Sequence, residues 1–300
     1  MSAPPPRHRR RLVGVSTKMY FSFARTTSYV GTLLGLLASL PAETRAALRD
    51  GVDVFVVPDH VSLTSVIAQL RAASSASAPV PVSVLAGAQD AYHEDAGAFT
   101  GEVSPAVLAE VGCRLLEIGH AERRRLFGET DAGAGRRAAA AARHGLVPLV
   151  CVGERTRPPA HDGGGEDGGG EEGLAAAVAA ALPEIRAQVE AALAGVPDAA
   201  DVVLAYEPVW AIGASEPAGP PYVVAVARAI RALDCVRRRP AAATRILYGG
   251  SAGPGLFARL SGGGGGGDDD DDDGLDGLFL GRFAHDPEQF VKTILEVAAA

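Results

Sequence analysis

DVVLAY (201–206) is a short apolar run that stops at a polar pair, Glu207-Pro208, and from residue 221 gives way to a longer Ala-, Val- and Arg-rich stretch of helical character. The same rhythm recurs on both sides of it. Seven further runs are LVGVS (12–16), VDVFVV (52–57), VPVSVLA (80–86), RLLEI (114–118), LVPLVCV (146–152), TRILY (244–248) and DGLFLG (276–281). Helical stretches fall at 26–39, 62–72, 105–111, 132–143, 174–195, 221–236, 254–260 and 286–298. Several open on a cap or first-turn proline, as at Ser104-Pro105 and Asp286-Pro287. Strands alternating with helices imply βα units and a parallel sheet. Eight such pairs are the content of an eight-stranded parallel (β/α)8 barrel in a single α/β domain. A doubly wound open sheet carries the same alternation, and counting elements leaves it open.

The 300-residue chain is 47% hydrophobic, enough for a sizeable core, and its 21% charged and 5% aromatic content speaks against a disordered or coiled-coil protein. The net charge of -8 is concentrated in two places, the run Asp268 to Asp273 and the Gly/acid stretch from His161 to Glu172. Set against the arginines at 7, 9, 10 and 11, these leave the folded body nearly neutral, so no basic stripe supports a nucleic-acid partner. Residues 1–11 read as a disordered tail and 12–300 as the barrel domain, with flexible insertions at 157–173 and 261–274. The aspartates are not spaced as a calcium loop spaces its ligands and read as solvated chain. Because the second insertion separates a helix from the next strand, it is expected on the barrel face away from the chemistry. Cys113, Cys151 and Cys235 are odd in number and two lie in apolar runs, which suits small core residues in a reducing compartment. No stretch approaches the roughly 20 apolar residues of a membrane span, and the arginine-rich N-terminus is followed by only LVGV. A cytoplasmic protein with no membrane partner is expected.

In a parallel barrel the residues just after each strand converge on one mouth. There stand Ser16-Thr17-Lys18, Gly119-His120-Ala121-Glu122, Glu207-Pro208, Gly249-Gly250-Ser251 and Gly281-Arg282. Glycine turns leading into helices aim backbone N–H groups at a small anion, and phosphate is the expected one. Glu207, fixed by the following proline, suits a base that takes a proton from carbon. His120 opens a helix whose N-terminus would lower its pKa and keep the ring neutral, able to donate to an oxygen gaining charge. Lys18 supplies positive charge for a phosphate and an enediolate. Singly, each has an ordinary explanation as a loop or surface charge, and Glu122, Arg123 and Arg124 read as a structural ion-pair cluster. Jointly they describe proton transfer α to a carbonyl in a small phosphorylated molecule.

The stretches GAQDAYHEDAGAFTGEVSP (87–105), EIGHAERRRLFGET (117–130), AYEPVWAIG (205–213) and YGGSAGP (248–254) resemble the signature segments of the triosephosphate isomerase family, in order, from about residue 12 to 298. The resemblance implies the TIM barrel and a cofactor-free, metal-free interconversion of phosphorylated ketose and aldose through an enediol. It implies Lys18 as the electrostatic lysine, His120 as the electrophile and Glu207 as the base, an acid–base pairing for which triosephosphate isomerase is itself the standing example. PVWAIG (208–213) resembles that enzyme's hinged, water-excluding lid. Gly213, Ser251, Gly281 and Arg282 would surround the phosphate, and the segment from Tyr92 to Gly101 resembles the loop that enters a neighbouring subunit, which implies a homodimer.

Four departures stand out. The family's Asn-Trp-Lys is Ser16-Thr17-Lys18, so a serine replaces the asparagine at the reacting oxygen; the second of two glycines after strand eight is Arg282. The serine after the histidine is Ala121, and the threonine-glycine beyond the lid is Ala214-Ser215-Glu216-Pro217. Serine before the lysine and Gly-Arg after strand eight are similar to the branch that isomerises tetrulose phosphates, which implies L-erythrulose 1-phosphate as substrate and D-erythrulose 4-phosphate as product. An ordinary triosephosphate isomerase and a non-catalytic phosphosugar-binding barrel are the alternatives; retention of lysine, histidine and glutamate together argues against the binder, which needs no base.

Overall fold

A computed structural model describes residues 10–75, 80, 82–158, 170–213, 218–250, 252–261 and 274–300. The strands are β1 (Arg11–Ser16), β2 (Val52–Val57), β3 (Val84–Ala88), β4 (Leu115–Ile118), β5 (Val147–Val152), β6 (Val202–Tyr206), β7 (Thr244–Gly250) and β8 (Gly277–Leu280). Each pairs in parallel with the next and β1 pairs with β8, closing the barrel and eliminating the open sheet. The surrounding helices are α1 (Phe23–Ser39), α2 (Ala42–Gly51), α3 (His60–Ser74), α4 (Pro105–Val111), α5 (Ala121–Phe127), α6 (Asp131–Arg143), α7 (Gly170–Leu193), α8 (Pro220–Arg231), α9 (Asp234–Arg237), α10 (Leu256–Ser261) and α11 (Pro287–Ala299). None of the helices described is long and apolar enough to cross a membrane.

Where boundaries differ from expectation, the neighbours explain it. β3 starts four residues later than VPVSVLA suggests and runs into Gly87-Ala88, because the register that pairs Val54 with Val84 also brings Gly87 beside Leu115. A β-carbon at Gly87 would stand 2.9 Å from Val57, so this strand end takes small residues that β-propensity does not favour. Arg10 and Arg11, assigned to the tail, are part of the barrel, and 1–9 lie outside the described residues. Arg10 bonds the Asp53 carboxylate at 3.1 Å and the Val52 carbonyl at 2.8 Å, and Arg11 begins β1. Gly170 to Gly173, assigned to the first insertion, form the opening turn of α7, with Glu171 and Glu172 where an N-terminus favours acids. Arg157 and Pro158 of that insertion are described, whereas 159–169 and the Gly/Asp run 262–273 between α10 and β8 lie outside the described residues. Helix α2 has no counterpart in the expected pattern, and the stretch 221–236 divides at Ala232-Leu233 into α8 and α9.

Alternate strand residues build two cores. Leu12, Phe55, Val57, Leu115, Leu149, Cys151, Val203, Ala205, Leu247 and Phe279 fill the barrel interior. Their neighbours, among them Val13, Val54, Leu116, Ile118, Val150 and Leu204, face outward against Leu33, Leu63, Ile185, Val223 and Phe290 of the helices. The Phe55 ring occupies the place a side chain at Gly14 would take: a β-carbon there would lie 2.0 Å from the ring. Cys113 and Cys151 are buried and unpaired, in keeping with core residues.

Candidate active site

The inward alternation that gives hydrocarbon lower in the barrel gives polar groups at its C-terminal mouth. Ser16 ends β1, Glu117 lies one residue before the end of β4, and Glu207 follows β6; all three are buried. With Lys18, His120, Gly213, Gly250, Gly281 and Arg282 they line one cavity of about 1270 Å³. The expected site residues are therefore brought together, except Ser251, which lies outside the described residues.

Lys18 adopts φ +46°, the only positive φ at a non-glycine among the described residues, a conformation that costs free energy unless its surroundings hold it. Gln89 holds it, donating to the Lys18 carbonyl at 2.9 Å. The Lys18 ammonium reaches Glu122 Oε1 at 2.8 Å. Burial pulls the ammonium's pKa down, but the Glu122 partner and the fields of Glu207 and Glu117 outweigh it, so the net displacement is upward and the charge is secure. Glu122 responds reciprocally: its burial is outweighed by Lys18 and its pKa falls. Glu122 thus leaves the structural cluster assumed from sequence, whereas Arg123 does join Asp90 and Glu129, and Arg124 joins Asp131.

His120 caps α5. Its Nδ1 accepts from the Glu122 backbone N–H at 3.1 Å, which in the neutral ring leaves the proton on Nε2. Nε2 lies 3.6 Å from Glu207 Oε2. That oxygen is buried with no hydrogen-bond partner among the described residues, while Oε1 has the Cys151 thiol at 4.0 Å. The space for this carboxylate comes from Gly249, where a β-carbon would stand 2.5 Å from Glu207 Cγ. A buried carboxylate oxygen without a donor, beside an imidazole and near an ammonium, has the capacity to accept a proton.

At the other side of the cavity lie three backbone turns. Gly213 (φ +75°) and Gly250 (φ +121°) adopt left-handed conformations, and Gly281 caps the 3₁₀ turn that begins at Arg282, whose side chain is exposed. The base of the expected lid is pinned by Glu154, a buried carboxylate that accepts from Trp210 Nε1 at 2.7 Å, Tyr222 at 2.9 Å and Tyr206 at 3.2 Å. Residues 214–217 are outside the described set.

Glu117 is the site residue that sequence reasoning passed over, because it was absorbed into the apolar run RLLEI. The available signal was its parity: a carboxylate two positions after inward-facing Leu115 must also face inward.

A closed (β/α)8 barrel with ammonium, imidazole and carboxylate around a mouth of glycine turns has the groups that proton transfer in a small phosphorylated molecule needs. The sequence profile of the triosephosphate isomerase family matches residues 11–297. L-erythrulose-1-phosphate isomerase of Pectobacterium atrosepticum is 41% identical over 94% of this chain and 93% of its own. The enzyme of the same name from Rhizobium etli is 38% identical over 96% and 92%. Triosephosphate isomerase of Chloroflexus aurantiacus is 40% identical over 81% and 85%. The chain belongs to the triosephosphate isomerase family. It is a sugar-phosphate isomerase, an intramolecular oxidoreductase.

Proposed function

We propose that the protein converts L-erythrulose 1-phosphate to D-erythrulose 4-phosphate. The observation that carries the chemistry is the unpartnered Glu207 Oε2 set 3.6 Å from His120 Nε2. The substrate is the triose ketone with a hydroxymethyl group on the carbon that gives up its proton. Glu207 takes that proton, the carbonyl oxygen gains charge against His120 Nε2–H and the Lys18 ammonium, and the enediolate accepts a proton at the neighbouring carbon to complete the shift. Gly213, Ser251, Gly281 and Arg282 hold the phosphate, Arg282 adding a fixed charge where the family pattern has a glycine. No cofactor or metal enters this scheme.

The four-carbon substrate is supported by the two relatives of that name, which align over almost their whole lengths, and by Ser16 and Arg282. The 40% identical triosephosphate isomerase favours the second reading, dihydroxyacetone phosphate to glyceraldehyde 3-phosphate. Comparing kcat/KM for the two ketoses decides: the tetrulose phosphate is expected to exceed dihydroxyacetone phosphate by about 10-fold or more, one carbon being worth roughly 1–3 kcal/mol. Ser16→Asn should narrow the gap. A wild-type preference for dihydroxyacetone phosphate refutes the tetrulose reading.

A homodimer is part of the proposal. It rests on the resemblance of the segment from Tyr92 to Gly101 to the loop that enters a neighbouring subunit, and the exposed Met19, Tyr20, Phe23 and Phe99 are apolar side chains that a partner could cover. Sedimentation at micromolar concentration should give twice the chain mass; a monomer of full activity contradicts it.

A further inference from the structure

The proton-transfer scheme leaves Glu117 unused. Its side chain is buried at the floor of the cavity, above Leu115 and the other inner-core residues, where a carboxyl is costly unless something binds to it. The contrast with Glu154 is direct. Glu154 accepts from Trp210, Tyr222 and Tyr206 and braces the lid base, whereas among the described residues the only hydrogen bond to Glu117 comes from Ser16 Oγ, at 3.2 Å. Burial raises the Glu117 pKa to about 7, with His120 and Lys18 pulling it down and Glu207 pushing it up, so near neutrality the group can accept or donate.

Elimination narrows its role. Of the buried polar side chains lining the cavity, His120 and Glu207 serve the reacting atoms. Gln188 is committed at both ends to Gly153, donating to its carbonyl at 3.1 Å and accepting from its N–H at 2.7 Å. Ser16 and Glu117 remain. Ser16 gives its single proton to Glu117 and accepts from the Lys18 N–H at 3.4 Å, so the member of the pair with capacity left for a ligand is the carboxyl.

We infer that Glu117, oriented by Ser16, binds the hydroxyl of the arm that distinguishes a four-carbon from a three-carbon ketose phosphate, forming a specificity subsite on the cavity floor. This rests on the tetrulose reading above. With the phosphate at the glycine turns and the reacting carbon at Glu207, an arm on that carbon that extends away from the phosphate meets the Ser16–Glu117 pair as its buried polar partner.

The test is the ratio of kcat/KM for L-erythrulose 1-phosphate to that for dihydroxyacetone phosphate, in the wild type, Glu117→Leu and Glu117→Gln. A hydrogen bond to a charged group is worth about 10- to 100-fold, and the ratio should fall by that factor in Glu117→Leu and by less in Glu117→Gln, whose amide still bonds a hydroxyl. If Glu117→Leu does not fold, a fall of several-fold in the glutamine variant carries the same meaning and an unchanged ratio overturns the inference. Parallel loss of both efficiencies means that Glu117 acts only through Lys18 or His120; that overturns the subsite while a wild-type preference for the tetrulose keeps the substrate reading. A wild type that prefers dihydroxyacetone phosphate overturns both.

Discussion

The lower layers of the barrel interior and its mouth are built on the same alternation of strand residues and enclose opposite things. Below, Leu12, Phe55, Leu115, Leu149, Val203 and Leu247 pack together, Phe55 fills the space left by Gly14, and the charges at the N-terminal end of the strands are paired, Asp53 with Arg245 at 3.5 Å and with Arg10 at 3.1 Å. At the mouth, Ser16, Glu117 and Glu207 take the uppermost inward positions, and two carboxylates are buried in the cavity that Lys18 also lines. Hydrophobic burial below supplies stability that the upper layer spends in desolvation, so stability and catalysis should separate along the barrel axis.

The largest expected effects fall on opposite ends. Glu207→Gln should lower kcat about 10²- to 10⁴-fold, the usual contribution of a general base, with no loss of unfolding free energy. Phe55→Ala should cost about 3–5 kcal/mol in urea unfolding, as truncation of a buried aromatic does. If Glu207→Gln unfolds the barrel, or Phe55→Ala leaves its stability unchanged, the separation is wrong.

A smaller effect sharpens the comparison within the mouth itself. The Glu117 carboxyl titrates at about 7 in the folded barrel against an ordinary 4.5. A carboxyl with a raised folded pKa favours folding while protonated, and that contribution drains away as pH rises from 4.5 through 7. Glu117→Gln removes this titration, so the variant should gain stability relative to wild type at pH 8 compared with pH 5, by about 3 kcal/mol at most. Equal differences at the two pH values would mean that Glu117 is not desolvated.

Much of this division was legible in the sequence, for physical reasons that differ by residue. Eight apolar runs announced parallel βα units because each parallel strand is covered on both faces, but closure into a barrel rather than an open sheet was settled only by the pairing of β1 with β8. Lys18, His120 and Glu207 stood out because they follow strand ends. The end of β3 was hidden since Gly87-Ala88 fits a tight place in the barrel rather than a propensity scale. Glu117 was hidden since one acid in RLLEI does not break an apolar run. Its bond to Ser16 joins residues 101 positions apart on β1 and β4, which are not paired strands, and only barrel closure brings them together. Glu122 read as one of three charges in a row until its oxygen was placed on Lys18.

The most direct test of the central claim is incubation with L-erythrulose 1-phosphate in deuterated water, followed by NMR. Glu207 exchanging a carbon-bound proton through an enediolate predicts deuterium on the reacting carbons of substrate and product, at a rate reduced at least about 10²-fold in Glu207→Gln. Absence of both turnover and exchange in the wild type, or exchange undiminished in Glu207→Gln, would contradict the account.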